Sequence, residues 1–551
     1  MKSNQGIIST ILCTALVAVV PAVASAQVAT SLINEGDPLP AAGVGHAVSF
    51  INNTAVNGVG GFSATLSSSD GATTLSHAWG NATGGAGAII RTEAVVGVYD
   101  QQSWESFFGM DDVGQIAYSP LCTNTSTGAT GLDCVFVDAT PLAVEDEPIP
   151  SLPGKVFRFA SRAGITNNGM AYWVSGINDG TTGASEGNGL FVPAGVLLKT
   201  GDVIAGLPAP LDTNAADFDV RFSAQGSHYI IGVDTTASTT ADVFMLLDGA
   251  PIPSGGGLMG EGQPVPGGLP GENWDNFDFL GVNENGDYMV TGDTDATTTS
   301  DEFISFNGNI LYREGDVVDG ETLSGSIEGA YMNEAGDIAY IWDIVDVVNG
   351  GTMEALYLND RLLLKEGDAV DLLGQDGLTE SNSLVANFTG ITALTMGPNQ
   401  NLYFTADIDV NGTSSTTDDI EGFFCIGIGQ WTDLGNSLAG TGGIAPVLVG
   451  SGTLVPGTAA TLTLTDALPN SQAWLFIGLS QINLPFKGGT LVPANDFLVP
   501  GLSVDISGGL VLAESWPALP SGMVVYFQYW VMDAGGPAGA SASNALSGTT
   551  P

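Results

Sequence analysis

The decapeptide NEAGDIAYIW at residues 333–342 shows how this sequence is organised. It joins a polar turn to an apolar run rich in β-branched and aromatic residues, which is the composition of a β-strand. A similar segment, NENGDYMV, occupies residues 283–290. Looser copies are NGVGGF (57–62), DDVGQIAY (111–118), TNNGMAYW (166–173), SAQGSHYI (223–230) and GPNQNLYF (397–404). We therefore take this turn and strand as the unit of a repeat.

The spacing of the copies is nearly constant. The fourth residue of each copy serves as a marker, and the seven markers are Gly60, Gly114, Gly169, Gly226, Gly286, Gly336 and Gln400. Successive markers are separated by 54, 55, 57, 60, 50 and 64 residues. Seven copies at such a spacing are typical of a repeat architecture.

A second phrase completes each unit. It reads LYLNDRLLLKEGDAV at 356–370, and its Glu-Gly-Asp ending recurs at 35–37 and 314–316. In the sixth unit we predict strands at 326–332, 337–344, 355–358 and 361–365, with turns at 333–336 and 359–360. Four antiparallel strands in one unit make a propeller blade, and radial repetition of blades leaves only short sheet edges exposed.

The sequence thus predicts an all-β fold with a seven-bladed β-propeller over residues 27–432. An unpaired segment at 29–37 (ATSLINEGD) precedes the first unit, and we expect it to complete the last blade and close the ring. A linear stack of β-units is the alternative. The Glu-Gly-Asp phrase is interpreted as a turn that links blades, because Gly-Asp favours turns. Carboxylates that line a funnel and bind cations are the alternative interpretation.

The repeat resembles that of the secreted bacterial proteins described by an NxxGxxAF signature and named for their choice of C-terminal anchor. The matching residues are Asn333, Gly336, Ala339 and Tyr340, and Asn283 and Gly286 in the preceding unit. Tyr, Trp or Val often stands where the signature has Phe. The resemblance covers about 400 residues and implies the repeat architecture. It implies no activity, because the family has no settled biochemical role.

The composition changes from about residue 434 onward. Carboxylates become sparse, and alternating apolar runs predict strands at 446–454, 460–464, 473–479, 502–506, 510–514 and 523–531. We predict a small β-sandwich over residues 433–551. The segment resembles a C-terminal module of secreted proteins from aquatic bacteria, through LPFKGGTLVP (484–493) and the ending GGPAGASASNALSGTTP. That resemblance implies attachment, export or a passive cap.

The N-terminus has the pattern of a signal peptide over residues 1–26. Lys2 precedes an apolar run, and Ala24-Ser25-Ala26 fits a cleavage site. We expect export through the Sec pathway and a secreted or cell-surface location, with a membrane anchor as the alternative. No later segment is long and apolar enough for a transmembrane helix.

The excess of acidic residues argues against partners that are themselves anionic. There are 59 acidic and 11 basic residues, and the net charge is −48. Nucleic acid and anionic membranes are excluded as partners, because both need a basic surface. A solvated acidic surface suits saline or extracellular conditions, and a dedicated cation store is the alternative.

Three cysteines follow the signal peptide. Cys122 and Cys134 flank a polar loop, TNTSTGATGLD, and we expect them to form a disulfide in an oxidising compartment. Cys425 lies in the apolar run GFFCIGIG and is expected to be a buried hydrophobic residue.

One segment has the spacing of a calcium loop. DIDVNGTSSTTDD (407–419) places Asp407, Asp409, Asn411, Thr413 and Asp418 at positions 1, 3, 5, 7 and 12, with a glycine at position 6. These are the oxygen-ligand positions of an EF-hand-like loop. An Asp replaces the usual bidentate Glu, and strands flank the loop. An ordinary acidic turn is the alternative.

Catalytic motifs are missing from the sequence. Only three histidines occur, and there is no GxSxG, HExxH or P-loop motif. We therefore expect no catalytic residues and a non-enzymatic role in extracellular binding or adhesion, as a monomer, with a glycan or an extracellular protein as partner. A polysaccharide hydrolase or lyase that uses carboxylates in the propeller funnel is the alternative, and a structural envelope component is a third.

Overall fold

The computed structural model describes residues 29–212, 220–372, 379–389, 393–398, 401–412, 416–427, 430–451, 454, 459–517, 519 and 523–550. These residues form strands, turns and two single-turn 3-10 helices, Thr441–Gly443 and Pro537–Gly539. The all-β prediction is confirmed. The chain divides into two compact units, Ala29–Cys425 and a C-terminal unit that begins at Ile426. The predicted signal peptide lies outside the described residues.

In the described residues of Ala29–Cys425, seven antiparallel sheets of four or five strands, called here sheets I to VII, follow one another, together with one two-stranded hairpin. The first described strand is β1 (Ala29–Asn34). Sheet I contains β2 (Ala47–Val56), β3 (Phe62–Ser69), β4 (Thr74–Asn81) and β5 (Ala88–Thr92). Sheet II contains β6 (Val95–Val96), β7 (Tyr99–Met110), β8 (Ile116–Asn124), β9 (Leu132–Val137) and β10 (Thr140–Val144). Sheet III contains β11 (Lys155–Ile165), β12 (Ala171–Asp179), β13 (Ser185–Val192) and β14 (Gly195–Lys199).

The remaining sheets of this unit have the same order of strands. Sheet IV contains β15 (Val220–Phe222), β16 (Tyr229–Asp234), β17 (Val243–Leu247) and β18 (Ala250–Pro251), and a small hairpin follows with β19 (Pro253–Ser254) and β20 (Gly257–Leu258). Sheet V contains β21 (Leu280–Val282), β22 (Tyr288–Asp293), β23 (Glu302–Phe306) and β24 (Asn309–Arg313). Sheet VI contains β25 (Val317–Val318), β26 (Glu321–Met332), β27 (Ile338–Val345), β28 (Thr352–Leu358) and β29 (Arg361–Lys365). Sheet VII contains β30 (Leu384–Thr389), β31 (Thr395–Met396), β32 (Leu402–Asp409), β33 (Ile420–Ile426) and also β1.

The middle strands of each sheet are buried on both faces. In β27 (IAYIWDIV) five consecutive residues from Ile338 are buried, because both faces of the sheet are covered. The outer strand β29 (RLLLK) has only Leu364 fully buried. This gradient follows from the sequence, since the second strand of each unit is the most continuous apolar run.

The hydrophobic clusters lie between neighbouring sheets. One cluster joins sheets I and II, and others join II with III, III with IV, IV with V, and V with VI. A further cluster joins the last sheet to the first, through Tyr403 and Phe423 of sheet VII and Val48 and Trp79 of sheet I. The sheets therefore bury their apolar faces against one another.

Sheet VII is built from both ends of the unit. Strand β1 lies beside β33, and the Glu35 amide donates to the carbonyl of Glu421 over 2.8 Å. Asn34 Nδ2 donates to the carbonyl of Leu372 over 3.0 Å. The prediction that the segment 29–37 pairs with the last repeat is confirmed.

The Glu-Gly-Asp phrase forms a turn at each copy. Asp37, Asp316 and Asp368 each accept, at Oδ2, the amide three residues earlier, over 2.8, 2.9 and 3.0 Å. The middle glycines have φ between 84° and 91°, a conformation that glycine adopts at little cost. The turn interpretation is confirmed, because the Asp carboxylates close their own turns.

The C-terminal unit contains two larger sheets and a hairpin. A six-stranded sheet contains β34 (Gln430–Gly435), β37 (Gln472–Gly478), β40 (Phe497–Ser503), β42 (Val524–Met532), β43 (Ala540–Ala542) and β44 (Ala545–Thr549). A three-stranded sheet contains β35 (Val447–Ser451), β36 (Ala459–Thr465) and β41 (Leu510–Ser515), and the hairpin contains β38 (Gln481–Phe486) and β39 (Gly489–Pro493). One cluster, with Leu462, Leu475 and Phe527 among its members, joins the two larger sheets.

Candidate functional site

The turn of each repeat is closed by its first side chain. Asn333 Oδ1 accepts the amides of Ala335 and Asp337, both over 2.9 Å. Asn57, Asp111 and Asn283 do the same in their own turns. The marker glycines have positive φ, for example 83° at Gly336. A short side-chain acceptor at the first position and a glycine at the fourth are thus what the turn requires.

Successive turns are hydrogen-bonded to one another. The Asp112 amide donates to the carbonyl of Asn167 over 3.0 Å, and the Asn167 amide donates to the carbonyl of Ala224 over 2.7 Å. Gly58 donates to Asp112 Oδ1 over 2.6 Å, and Gln225 donates to Glu284 Oε1 over 2.6 Å. The repeat turns therefore form a connected rim, which we call the turn rim.

A cavity of about 500 Å³ opens beside the turn rim. Its lining comes from the strands that precede the repeat turns, which are β2, β7, β11, β15, β21 and β26 of sheets I to VI, and from β31 of sheet VII. The segments that line it are 53–58, 107–110, 165–167, 221–224, 280–282, 331–335 and 394–398, together with Tyr172 from the second strand of sheet III. Its volume lies in the range of small-molecule sites.

At one position of the repeat, the residues range from glycine and alanine to arginine and tyrosine. The residue five positions before each marker is, in order, Ala55, Gly109, Gly164, Arg221, Gly281, Tyr331 and Thr395. All of them except Gly164 line the cavity. Neighbouring atoms take the place of a side chain at Gly109 and at Gly281, where a Cβ would approach Ile165 N and Met332 Cβ to 2.8 Å each. The place of a Gly164 side chain is taken by the Tyr172 ring, which a Cβ there would approach to 2.3 Å.

Arg221 and Tyr331 influence each other electrostatically. Burial raises the pKa of Tyr331 to about 12, while the nearby Arg221 guanidinium lowers it. Glu334 and Tyr172 also lie close enough to act on this phenol. The Tyr172 ring stacks on Phe222 at 4.4 Å between ring centroids. Arg221 and several aromatic residues thus line one cavity.

Asn53 contributes an unsatisfied donor to the same cavity. The side chain lines the cavity, is only 3% exposed, and its Nδ2 has no hydrogen-bond partner. A buried polar group without a partner costs about 1–3 kcal/mol. Most buried polar atoms are paired with protein groups or ordered water, so Asn53 Nδ2 is an exception.

The cavity lining contains a single carboxylate among the residues described. Glu334 uses both of its oxygens in the turn rim, since Oε1 accepts the Ala224 amide and Oε2 accepts the Glu284 amide, each over 2.7 Å. The described lining contains no histidine. Glu334 therefore positions the turns and has no paired carboxylate beside it for glycoside chemistry.

Other carboxylates hold neighbouring sheets together. Glu302, Glu354 and Glu421, called here the bridging glutamates, lie at or near the beginning of β23, β28 and β33. They accept the amides of Ile327, Phe388 and Ile51 on the next sheet over 3.0, 2.7 and 2.7 Å. Burial, with Asp293 beside it, raises the pKa of Glu302 to about 9. Burial also raises the pKa of Glu354 and of Glu421 to about 7.

The histidines of sheet I form a buried chain of hydrogen bonds. Ser68 Oγ lies 3.0 Å from His46 Nδ1 and 2.8 Å from His77 Nε2, and Asp70 Oδ2 lies 3.9 Å from His46 Nε2. The residue types suggest a nucleophile and a base. Ser68 is 0% exposed, and burial lowers the pKa of His77 to about 4. A substrate has no path to Ser68, so the group supports the sheet.

The structure places most of the predicted calcium ligands in a turn. Asp409 Oδ1 accepts the amides of Asn411 and Gly412 over 2.9 and 2.6 Å, and Asn411 Nδ2 donates to Asp418 Oδ2 over 2.7 Å. Asp407 lies on β32, where burial raises the pKa of its carboxyl. Thr413 lies outside the described residues.

The calcium loop and the acidic turn both stay predictions. Within the described part of the chain, no three His, Cys, Asp or Glu side chains gather closely enough to hold a metal ion. Thermal melting with and without a chelator, in the wild type and in the Asp407→Ala/Asp409→Ala variant, distinguishes them.

The predicted disulfide is wrong. Cys122 and Cys134 are both buried free thiols. They lie on the adjacent strands β8 and β9, but Cys122 is opposite Leu132, so Cys134 is its diagonal neighbour. Diagonal Cα atoms are about 7–8 Å apart, whereas a disulfide needs about 4.4–6.8 Å. The loop between the cysteines suggested that they face each other directly across the two strands. In the observed register, the residue opposite Cys122 is Leu132, two residues before Cys134.

Sequence reasoning missed the cavity residues. Asn53, Arg221 and Tyr331 belong to the first strand of their units, whereas the repeat was defined by the turn and the second strand. A count of five positions back from each marker would have separated Arg221 and Tyr331 from the small residues that share their layer. The orphan Asn53 amide leaves no signal in the sequence.

Comparisons with known proteins leave the chain without a family. No protein-family model matches it, and no curated protein matches it. Among solved structures, an exo-β-1,3-galactanase from Phanerochaete chrysosporium with galactose has a TM-score of 0.19 and 10% identity, over 74% of this chain and 97% of that chain. A polysaccharide lyase, Uly1, has a TM-score of 0.23 and 8% identity, over 83% and 89%. A eukaryotic initiation factor has a TM-score of 0.25 and 9% identity, over 77% and 92%.

No helix in the described part of the chain has both the length and the apolar character that crossing a membrane requires.

Proposed function

We propose that residues 27–432 form a seven-bladed β-propeller and residues 433–551 a β-sandwich, in a protein exported to the cell surface or beyond. Support for the ring comes from the sheets themselves. Each of sheets I to VI contributes to one cavity the strand that precedes its repeat turn, sheet VII contributes β31, and the last sheet shares a hydrophobic cluster with the first. The Glu421 carboxylate accepts the Ile51 amide across the same junction. A linear stack would leave the first and last sheets apart.

We infer that the protein is a monomeric, non-enzymatic binding protein, and that its ligand enters the cavity. The observation that carries this is the cavity of about 500 Å³, to which Arg221, Tyr331 and further aromatic residues contribute. A polar group and aromatic faces around an open space are the usual components of a small-ligand site. A sugar unit fits this combination, because its ring stacks on aromatic faces and its hydroxyls accept and donate hydrogen bonds.

A polysaccharide hydrolase or lyase is less well supported. Such a hydrolase needs two carboxyl groups on either side of the scissile bond. The described lining has only Glu334, whose oxygens are both occupied by backbone amides of the turn rim. The bridging glutamates are occupied in the same way on neighbouring sheets.

A glycan array with the full chain tests the proposed function. We expect retention of a subset of glycans, loss of that retention in the Arg221→Ala/Tyr331→Ala variant, and no released products after incubation with the bound glycans. Arg158→Ala is the matched control, because Arg158 is exposed and donates to Ser185. An empty array, or product release from a retained polysaccharide, would contradict the proposal.

A further inference from the structure

Two neighbouring sheets carry the same pair of opposed acidic residues. Asp293 on β22 lies directly opposite Glu302 on β23, and Asp343 on β27 lies directly opposite Glu354 on β28. Like charges in this position destabilise a pair of strands. The two pairs occupy equivalent hairpins of consecutive repeats, so the arrangement belongs to the repeat and needs a physical reason.

The glutamate of each pair holds the next sheet. Glu302 Oε1 accepts the Ile327 amide of β26 over 3.0 Å, and Glu354 Oε2 accepts the Phe388 amide of β30 over 2.7 Å. Both β26 and β30 are bulged, and a bulge leaves backbone groups without a partner in the ladder. The two glutamates therefore fasten sheet VI to sheet V on one side and to sheet VII on the other.

Glu354 lies among other carboxyl groups. The charged groups that face it come from three other parts of sheet VI and are Glu328 of β26, Asp343 of β27 and Glu366 after β29. All four side chains are half-buried. Burial raises the pKa of each of them, and it raises the pKa of Glu354 to about 7. Lys365 precedes this cluster in the chain, but its ammonium pairs with Glu321 over 2.7 Å.

The fastening to sheet V responds to a different pH range. The charged groups that face Glu302 are Asp293 and Asp278. Burial, with the Asp293 carboxyl beside it, raises the pKa of Glu302 to about 9. A carboxyl group whose pKa is raised stabilises the folded state at low pH, and that contribution is lost as the pH rises through the raised value. As the pH rises, Glu354 therefore ionises before Glu302.

Sheets VI and VII also meet at the cavity. The segments 331–335 of sheet VI and 394–398 of sheet VII both line it. Asn333 Nδ2 donates to Met396 Sδ over 3.7 Å between these segments. Strand β30, which Glu354 holds, and strand β31, which lines the cavity, both pair with β32. A shift of β30 away from sheet VI therefore moves the lining that sheet VII contributes.

We propose that the junction of sheets VI and VII is a pH-dependent latch of the cavity. It is closed in mildly acidic media, where Glu354 holds β30, and it opens in alkaline media, where Glu354, Glu328, Asp343 and Glu366 ionise together. Separation of the sheets then admits water to carboxylates that are costly to keep buried. This inference adds regulation to the proposed function, and its ligand rests on that function.

Hydrogen exchange of the full chain at about pH 6 and about pH 8.5 tests the latch. Protection factors remove the intrinsic dependence of exchange on pH. A fragment that contains 384–389 reports on the Glu354 fastening, and a fragment that contains 326–332 reports on the Glu302 fastening. The variants are Glu354→Gln and Glu302→Gln, with Glu147→Gln as the matched control, because Glu147 is exposed.

We expect the protection of 384–389 to fall at least about tenfold between the two pH values in the wild type. Glu354→Gln should remove this fall, because a glutamine oxygen accepts the Phe388 amide without ionising. Glu302→Gln and Glu147→Gln should leave it unchanged. The fragment 326–332 should keep most of its protection in the wild type at about pH 8.5, since the pKa of Glu302 is about 9.

The glycan that the array retains most strongly serves as the probe of the cavity. Its dissociation constant should rise several-fold between the same pH values in the wild type and should stay constant in Glu354→Gln. Equal protection of 384–389 at both pH values, or the same fall in Glu354→Gln, would refute the latch. A constant dissociation constant alongside a fall in protection would refute its effect on the cavity. An empty array would refute the proposed function and the control of a ligand, while the exchange measurement would still decide the latch.

Discussion

The side chain that opens each repeat turn explains why the motif tolerates several spellings. Asn, Asp, Thr or Ser can each accept backbone amides of the turn, and copies begin with Asn57, Asp111, Thr166 and Ser223. The acceptor atom matters, and the rest of the side chain does not. The positive φ at the fourth position explains why glycine is kept there more strictly.

Removal of one turn acceptor should destabilise the protein. Asn333→Ala should lower the free energy of unfolding by about 1–2 kcal/mol, because two amides of a partly buried turn lose their partner. Asn333→Asp should lower the free energy of unfolding by less, because an aspartate, Asp111, closes the equivalent turn of another repeat. Urea unfolding of the three proteins measures this. Equal loss in both variants would show that shape and not the acceptor is required.

The bridging glutamates give the protein a pH-dependent stability. Burial raises the pKa of Glu421 from 4.5 to about 7, so its contribution is full below about pH 4.5 and is lost as the pH rises through about 7. Glu421→Gln should reduce the fall in unfolding free energy between about pH 5 and 8 by about 1–3 kcal/mol.

Chemical unfolding across this pH range measures the effect. Glu147→Gln is the matched control, because Glu147 is exposed, and it should keep the wild-type pH dependence. An unchanged slope in Glu421→Gln would contradict the proposed origin of the effect.

At the level of elements, the period of the repeat predicted the positions of most strands in Ala29–Cys425. In the sixth unit, the predicted strand 361–365 coincides with β29 and the predicted strand 337–344 lies within one residue of β27. The first strands are longer than predicted, because their polar beginnings pair through bulges, as in β26. Pattern alone does not show where a bulged strand begins.

The C-terminal unit was less predictable. Strands at 510–514 and 523–531 correspond closely to β41 and β42. The hairpin of β38 and β39 was missed, because β38 (QINLPF) is exposed along most of its length and contains a proline. Strand β44 was missed because ALSGT is short and contains only one β-branched residue, Thr549, so its β-propensity signal is weak.

Strand β1 should matter more than its length suggests. Ile33 is 5% exposed and belongs to the cluster that joins sheets VII and I. Ile33→Ala should lower the unfolding free energy by about 2–4 kcal/mol. Leu311→Ala is the matched control, since Leu311 lies on an outer strand and is exposed, and it should cost less than about 0.5 kcal/mol. Similar costs for the two substitutions would contradict a closing role for β1.

At the level of the whole molecule, a net charge of −48 sets how stability responds to salt. Self-repulsion opposes the compact state, and the Debye length falls from about 30 Å at about 10 mM salt to about 8 Å at about 150 mM. The midpoint of thermal unfolding should therefore rise over this range of NaCl. A falling midpoint would mean that ion pairs such as that of Arg313 and Glu272 dominate.

The strand pairing of sheet VII also determines the order in which the sheets can form during folding. Sheets I to VI pair strands that follow one another closely in the chain, whereas the Glu421 contact with Ile51 joins residues 370 positions apart. Loop closure of this size is slow compared with the formation of hairpins. During synthesis, six sheets can form before β33 is available to pair with β1, and the cavity lining is complete only after Pro398 has emerged. A chain halted before that point would expose the unpaired edge of β1, and this edge would be accessible to proteases.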